Sequence, residues 1–413
     1  MRARSTWLAA ATFASLAIAA TGVVRASGEQ IVDIGRYQRY AEAIQSDLVP
    51  YRDFDVEYPP GALVLFLAPA LVVSGDDAYF WAFAALMAAA GAVGVLLTGA
   101  ALERLGRSRR SRSGVLALLA VSPVAFGGVL LTRFDVAVAA LVAAATAAVL
   151  GGRPRLAALL VGTGAAVKLY PLLLVPILAT WALRRFGRRE AVLCTVLSLG
   201  VVAAVYLPFV VLSPDGVAHS VWRQLSRPLQ IETLGAGTLV LLHALIDLAV
   251  EVETSYGSQN LVGSSATAVA VVLSVAGIAA IHVSWIAYAR SNATEEALVR
   301  YAAAVLLAFV AFGKVLSPQF LVWLLFPLAL VGGRRGALAG ACFALAAVAT
   351  AVWFPWRYFD LPRELDPFVG SLVVLRGLTL VAAFAILVMA PRSLRPPRAA
   401  RGGRLSATRR RAP

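Results

Sequence analysis

Apolar blocks of bilayer-spanning length recur along the chain, and short arginine runs separate them. Among these blocks are residues 7–25, 78–102, 114–131, 191–212, 267–289, 336–353 and 369–390. A membrane helix needs roughly 20 apolar residues, and its backbone must satisfy itself because the bilayer core holds no water. A chain built this way folds as helices across a membrane. Composition agrees: 60% of residues are hydrophobic and 14% charged, where a soluble chain carries about a quarter charged. The fold class is therefore all-α, a polytopic transmembrane protein of about 11–13 membrane segments.

The net charge of +15 is informative through its distribution. Arginines cluster at 104–112, 184–189 and 334–335, and again from 392 to 411. That is the pattern of cytoplasmic loops under the positive-inside rule. A nucleic-acid surface would need a soluble fold or interleaved aromatics, and neither is present. Cys194 and Cys342 lie in apolar segments without metal spacing and read as small buried residues.

On this orientation both termini are cytoplasmic. Residues 1–390 form one transmembrane domain, and 391–413 form a basic tail expected to be disordered. The first apolar run is long for a signal core and reads as an uncleaved first helix. A first outer loop follows at 27–60. Residues 61–74 are too short to span and are expected to be partial or re-entrant. Residues 114–131 are expected to cross outward as one helix. Residues 156–183 leave one inner loop and return to another, so they form a hairpin of two short helices with "KLYP" at its outer tip. Residues 213–266 stay outside, with a short apolar piece at 234–250.

Of the 37 basic side chains, only Lys168 and Lys314 are lysines. Both avoid the inner arginine loops. Both fall in apolar-flanked turns beside proline, "KLYP" and "KVLSP". An ionisable residue at membrane depth costs about 2.5–3.5 kcal/mol on insertion scales and marks a functional candidate; snorkelling to the interface is the plainer alternative. A compact ammonium there suits phosphate as a point charge. Arg133 and Asp135, in "RFD", open a return helix on the same outer side. Arg300 and Arg376 fall within helices.

The first outer loop holds seven carboxylates: Glu29, Asp33, Glu42, Asp47, Asp53, Asp55 and Glu57. In "VDIGRYQRYAEAI", Asp33, Tyr37, Tyr40 and Ile44 have the spacing of one face of an amphipathic juxtamembrane helix. A carboxylate placed there can act as general base on a hydroxyl, or be a solvated loop charge. "DFDVEYPPG" closes the loop, with Pro59 and Pro60 holding the chain extended. His219, His243 and His282 are scattered, so no histidine metal cluster is expected. No glycine-rich phosphate loop appears, which turns attention from a soluble nucleotide sugar to an activated lipid.

"VDIGRYQRYAEAI…VPYRDFDVEYPPG", "RFD", "AAVKLYPLLLVP" and "GKVLSPQFLVWLLFPL", in that order over about residues 30–330, resemble glycosyltransferase family 87 of the GT-C superfamily. The resemblance implies a polyprenyl-phosphate sugar donor, typically of mannose. It also implies a glycolipid or glycan acceptor at the outer face, and inverting transfer within a membrane of lipids. An acidic residue of the first outer loop would be the base, which falls on Asp33; Asp55, Glu57 and Asp135 are rivals. The paired acidic motif of many GT-C enzymes is a single Asp here, which weakens any claim of metal dependence, and no cofactor is expected. Lys168, Lys314, Arg133 and Arg376 would hold the donor phosphate. Glu57, Tyr58, Asp135, Tyr170 and Gln319 would bind substrate. A transporter or flippase for an anionic or lipid-linked substrate is the alternative, since the same buried cations would serve it.

Overall fold

A computed structural model describes residues 2–28 and 33–389. The tail 391–413 and Glu29 lie outside the described residues. The chain is 77% helical, and six helices are long and apolar enough to cross a membrane: Arg4–Ala26, Asp76–Arg104, Arg188–Leu212, Ser264–Arg290, Gly333–Trp353 and Pro367–Val388. The all-α polytopic class stands. Between these run shorter apolar helices, Asp135–Leu150, Pro154–Val167 and Leu234–Ile246 among them. At about 1.5 Å per residue they reach roughly 20–24 Å, short of a full span.

Burial follows pattern. Asp135–Leu150 is buried along most of its length, so it runs through the middle of the bundle, packed on Asp76–Arg104 and Pro154–Val167. Arg188–Leu212 is the opposite case. Only 6% of its apolar window is buried, so it turns its surface to lipid and touches the bundle along one edge, where Ser198 Oγ donates to the Ala158 carbonyl at 3.0 Å.

The arginine clusters have a second, structural use. Arg104 donates to the Ala147 carbonyl at 2.7 Å, and Arg107 to the Leu330 carbonyl at 2.7 Å. Arg184 donates to the carbonyls of Ala289 and Ser291. Each places a cation on the open carbonyls at a helix C-terminus, where the helix dipole is negative. This arginine end of the bundle lies at the C-terminus of Asp135–Leu150; the lysine turns lie at the other end.

Both lysine turns share one local design. Helix Pro154–Val167 ends, Lys168 takes an extended conformation, and a proline-started 3-10 helix, Tyr170–Leu174, leads into Val175–Phe186. Helix Glu295–Ala311 ends likewise, and after Lys314 a 3-10 helix, Pro318–Leu321, leads into Val322–Leu330. The expected "KLYP" hairpin is present.

Two local expectations change and one holds. Residues 114–131 do not form one helix: Arg109–Val121 gives way to Pro123–Phe126 and Val129–Thr132. Pro123 lacks an amide hydrogen to continue the ladder, and Gly127 has φ +54°, which breaks the α run. The stretch 61–74 contains only the short helix Ala62–Ala70, in keeping with the partial element expected there. The segment 213–266 is more ordered than its polarity suggests. It contains an amphipathic helix, Pro214–Leu225, and a small antiparallel sheet of Leu229–Gln230, Glu251–Ser255 and Ser258–Val262.

Candidate active site

The two lysine turns, the first loop and the small sheet meet around a cavity of about 450 Å3. The loop is fixed from below by a close approach. Gly61 donates to the Ala166 carbonyl at 3.0 Å, and a Cβ at Gly61 would stand 2.6 Å from that oxygen, so only glycine lets the loop dock beside Lys168. From the side, helix Pro214–Leu225 holds it: Ser220 Oγ donates to the Val56 carbonyl at 2.7 Å and Gln224 Nε2 to the Glu57 carbonyl at 3.0 Å. Underneath, Tyr37 stacks on Phe66 with centroids 4.2 Å apart, and Tyr58 meets Phe134 edge-on at 5.1 Å.

Asp33 stands immediately before helix Ile34–Gln45, and its carbonyl accepts from the amides of Arg36 and Tyr37 at 2.9 and 3.1 Å. The expected amphipathic helix is therefore there, with Tyr37 buried and Asp33 at its head. The Asp33 carboxylate forms an ion pair with Arg133, and Tyr58 Oη lies 3.5 Å from it. Burial works to raise the Asp33 pKa, but the charges of Arg133 and Arg36 outweigh it and hold the group below the usual aspartate value. Arg36 in turn pairs with Glu57 at 2.6 Å.

Nine of the ten side chains singled out from sequence line this cavity: Asp33, Glu57, Tyr58, Arg133, Asp135, Lys168, Tyr170, Lys314 and Gln319. Arg376 does not. It is fully buried behind the wall, donating to the Glu232 carbonyl, so its reach to a ligand's phosphate is blocked by the segment it supports. Asp55 also falls outside the lining and is largely exposed, 4.0 Å from Arg223.

The cations are not equivalent. Lys168 Nζ pairs with Asp135 at 2.6 Å, and Asp135 also accepts from Trp323 Nε1 at 2.5 Å. Phe134, Trp323 and Phe320 surround that ammonium at 4.8, 5.1 and 5.4 Å. Arg133 is balanced by Asp33. In contrast, Lys314 and Arg227 have no carboxylate within 4 Å among the described residues. Lys314 Nζ donates to the Leu225 carbonyl at 2.8 Å, and Arg227 Nη2 to Ser258 Oγ at 2.9 Å. Burial and the Arg227 charge both push the Lys314 pKa down, the signature of a cation short of an anion.

Sequence reasoning passed over Arg227, Arg36 and Glu232. Glu232 follows the strand Leu229–Gln230 and is only 2% exposed. Burial pushes its pKa up to about 7, partly offset by Arg376 and by a hydrogen bond from Ser317. The sign of the linkage follows. The native value lies above the ordinary 4.5, so the native state must ionise a buried acid that the unfolded chain ionises freely. That cost is absent below about pH 4.5, grows above it and is complete above about pH 7, at roughly 3 kcal/mol. The thermal midpoint should fall as pH rises from about 5 to about 8, and Glu232→Gln should flatten the curve. An unchanged slope in the variant would mean that another group carries it.

Among the described residues, no three or more His, Cys, Asp and Glu side chains are grouped to hold a metal ion. The chain matches the family model for glycosyltransferase family 87 over residues 57–318, more than half its length. No curated protein matches it. The matched stretch carries Glu57, Arg133, Lys168, Arg227, Glu232 and Lys314, while Asp33 lies just before it. Membership decides against the carrier reading. With its apolar helices and this charged cavity, the protein is a membrane glycosyltransferase, and the chain belongs to glycosyltransferase family 87.

Proposed function

We propose that the protein transfers a hexose, mannose by family resemblance, from a polyprenyl-phosphate donor to a hydroxyl of a glycolipid or glycan acceptor, with inversion. The observation that carries this reading is the pairing, in one cavity, of a carboxylate held ionised with two cations that lack carboxylate partners within 4 Å among the described residues. Asp33 takes the proton of the acceptor hydroxyl. The acceptor oxygen bonds to the anomeric carbon, the bond from that carbon to the phosphate oxygen breaks, and polyprenyl phosphate leaves with the electron pair. Lys314 and Arg227 meet the growing phosphate charge; Lys168 and Arg133 add to the field but are already balanced. Tyr58, Tyr170, Glu57, Asp135 and Gln319 shape the walls. No metal is needed in this scheme, because cationic side chains do that work.

The cavity lies at the bundle end away from the arginine-capped helix termini. By the positive-inside rule this supports an extracytoplasmic site and cytoplasmic termini. Transfer from radiolabelled polyprenyl-phosphate mannose to lipids of a membrane extract tests the reading. Product should form, and Arg227→Ala and Lys314→Ala should each raise the donor KM about 10–100-fold, the worth of a charge-assisted contact. Absence of product from folded protein with every extract would end the proposal.

A further inference from the structure

Glu232 is a cavity carboxylate, beside Asp33, Glu57 and Asp135, and the transfer step gives it no role. Its position is unusually determined. Within the described residues, both hydrogen bonds to its carboxylate go to Oε2, one from Gln230 Nε2 and one from Ser317 Oγ at 3.3 Å. Gln230 Nε2 also donates to Ser317 Oγ at 2.7 Å, so the three side chains form a closed set. The amide orientation is fixed by this set, since the reverse would put the Gln230 oxygen against the carboxylate. The backbone is held as well: the amides of Gln230 and Ile231 donate to the carbonyls of Lys314 and Gln259, each at 3.0 Å, and Arg376 donates to the Glu232 carbonyl.

The other oxygen, Oε1, has no donor among the described residues, and Glu232 lines the cavity. A carboxylate oxygen in so enclosed a site is costly without a donor. An ionised phosphate has no hydrogen to give it; a sugar hydroxyl has. Location narrows the choice of sugar. Arg227 lies three residues before Gln230 in the chain, and the Gln230 amide is bonded to Lys314 itself. A pyranose esterified to a phosphate held by Arg227 and Lys314 would then lie near Glu232, whose charge already acts on Arg227.

We infer that Glu232 Oε1 accepts a hydrogen bond from one ring hydroxyl of the donor sugar, and so helps to select which hexose the enzyme accepts. The inference rests on the donor-phosphate reading above. A site built to bond a hydroxyl rejects the analogue without it far more strongly than an apolar pocket rejects a small change in shape. The upward displacement of the Glu232 pKa fits a group whose charge is best supported when the sugar is in place.

Donor binding, rather than turnover, tests this without knowing the acceptor. Polyprenyl-phosphate mannose and its monodeoxy analogues are titrated into the detergent-solubilised full chain and into Glu232→Ala and Glu232→Gln. The unmodified protein should bind one analogue roughly tenfold or more weakly than the parent donor. That single penalty should vanish in Glu232→Ala and shrink in Glu232→Gln, which keeps the shape if the alanine variant does not fold. A penalty that persists in the variants, or equal losses for all analogues, overturns the inference. So does Glu232→Gln losing turnover while its binding pattern stays intact, since Glu232 would then act on the reacting atoms. Failure of the underlying reading looks different: Arg227→Ala with Lys314→Ala would bind the parent donor as tightly as the unmodified protein.

Discussion

Asp33→Asn should lower turnover by about 10²–10⁴-fold, the usual contribution of a positioned general base, and leave donor binding intact or tighter. The direction of the second effect is what makes the variant informative. Asp33 balances Arg133 in an ion pair whose arginine side chain is only 10% exposed. Asparagine keeps the shape but removes the negative charge, so the cavity becomes more positive and holds an anionic donor at least as well. Loss of a phosphate contact has the opposite signature, a raised donor KM. A pH profile adds a second handle. Asp33 is held below its ordinary value of 3.8 by Arg133 and Arg36 against the effect of burial. As a base it is active above its pKa and lost only as pH falls through it. No acid limb of kcat/KM should therefore appear from neutrality down to about pH 4. A limb near 7 that Glu232→Gln abolishes would move the base to Glu232. Normal turnover in Asp33→Asn would remove Asp33 from the chemistry altogether.

Some of this site was readable from the chain because membranes punish misplaced charge. Lys168 and Lys314 stood out as the two lysines among arginines, and both line the cavity. Asp33, Glu57, Arg133 and Asp135 were found because each sits near the end of an apolar segment, and a bundle brings such ends together. The helix after Asp33 was visible in its tyrosine spacing. Arg227 and Glu232 carry no such mark. They lie in "SRPLQIETLG", a stretch whose charges look like those of any wet loop. Only the small sheet folds that stretch inward, and its strands are too short for alternation to announce them. Glu232 left one clue, since Thr233 caps the next helix by accepting from the Ala236 amide at 3.2 Å, which sets the chain just before a helix start against the bundle. Arg376 shows the converse error. A cation within an apolar helix drew attention, but sequence could not tell the cavity from the wall behind it. Charge pairing was also hidden: Lys168 and Asp135 are 33 residues apart, and nothing local predicts that they meet.

That pairing governs what a change at Lys168 does. Lys168→Ala leaves Asp135, only 2% exposed, with the Trp323 indole as its one remaining hydrogen-bond donor among the described residues. Breaking a buried pair by removing one partner costs about 3–5 kcal/mol, chiefly because the other charge stays behind. The variant should lose thermal stability on that scale. It should also bind donor poorly, since an unbalanced Asp135 adds negative charge to a cavity that receives a phosphate. Lys168→Arg keeps the pair and should be much milder, although the larger guanidinium needs more room among Phe134, Phe320 and Trp323 than the compact ammonium does. Lys168→Met combined with Asp135→Asn distinguishes the two origins of the donor effect. Replacing both members of a buried pair by neutral groups is often tolerated, so the double variant should recover most of the stability. If Lys168 acts by neutralising Asp135, donor binding recovers with it to within a few-fold. A double variant that is stable yet still binds donor tenfold worse would show that the ammonium touches the phosphate itself, and would return Lys168 to the place beside Lys314 and Arg227 that its sequence context suggests.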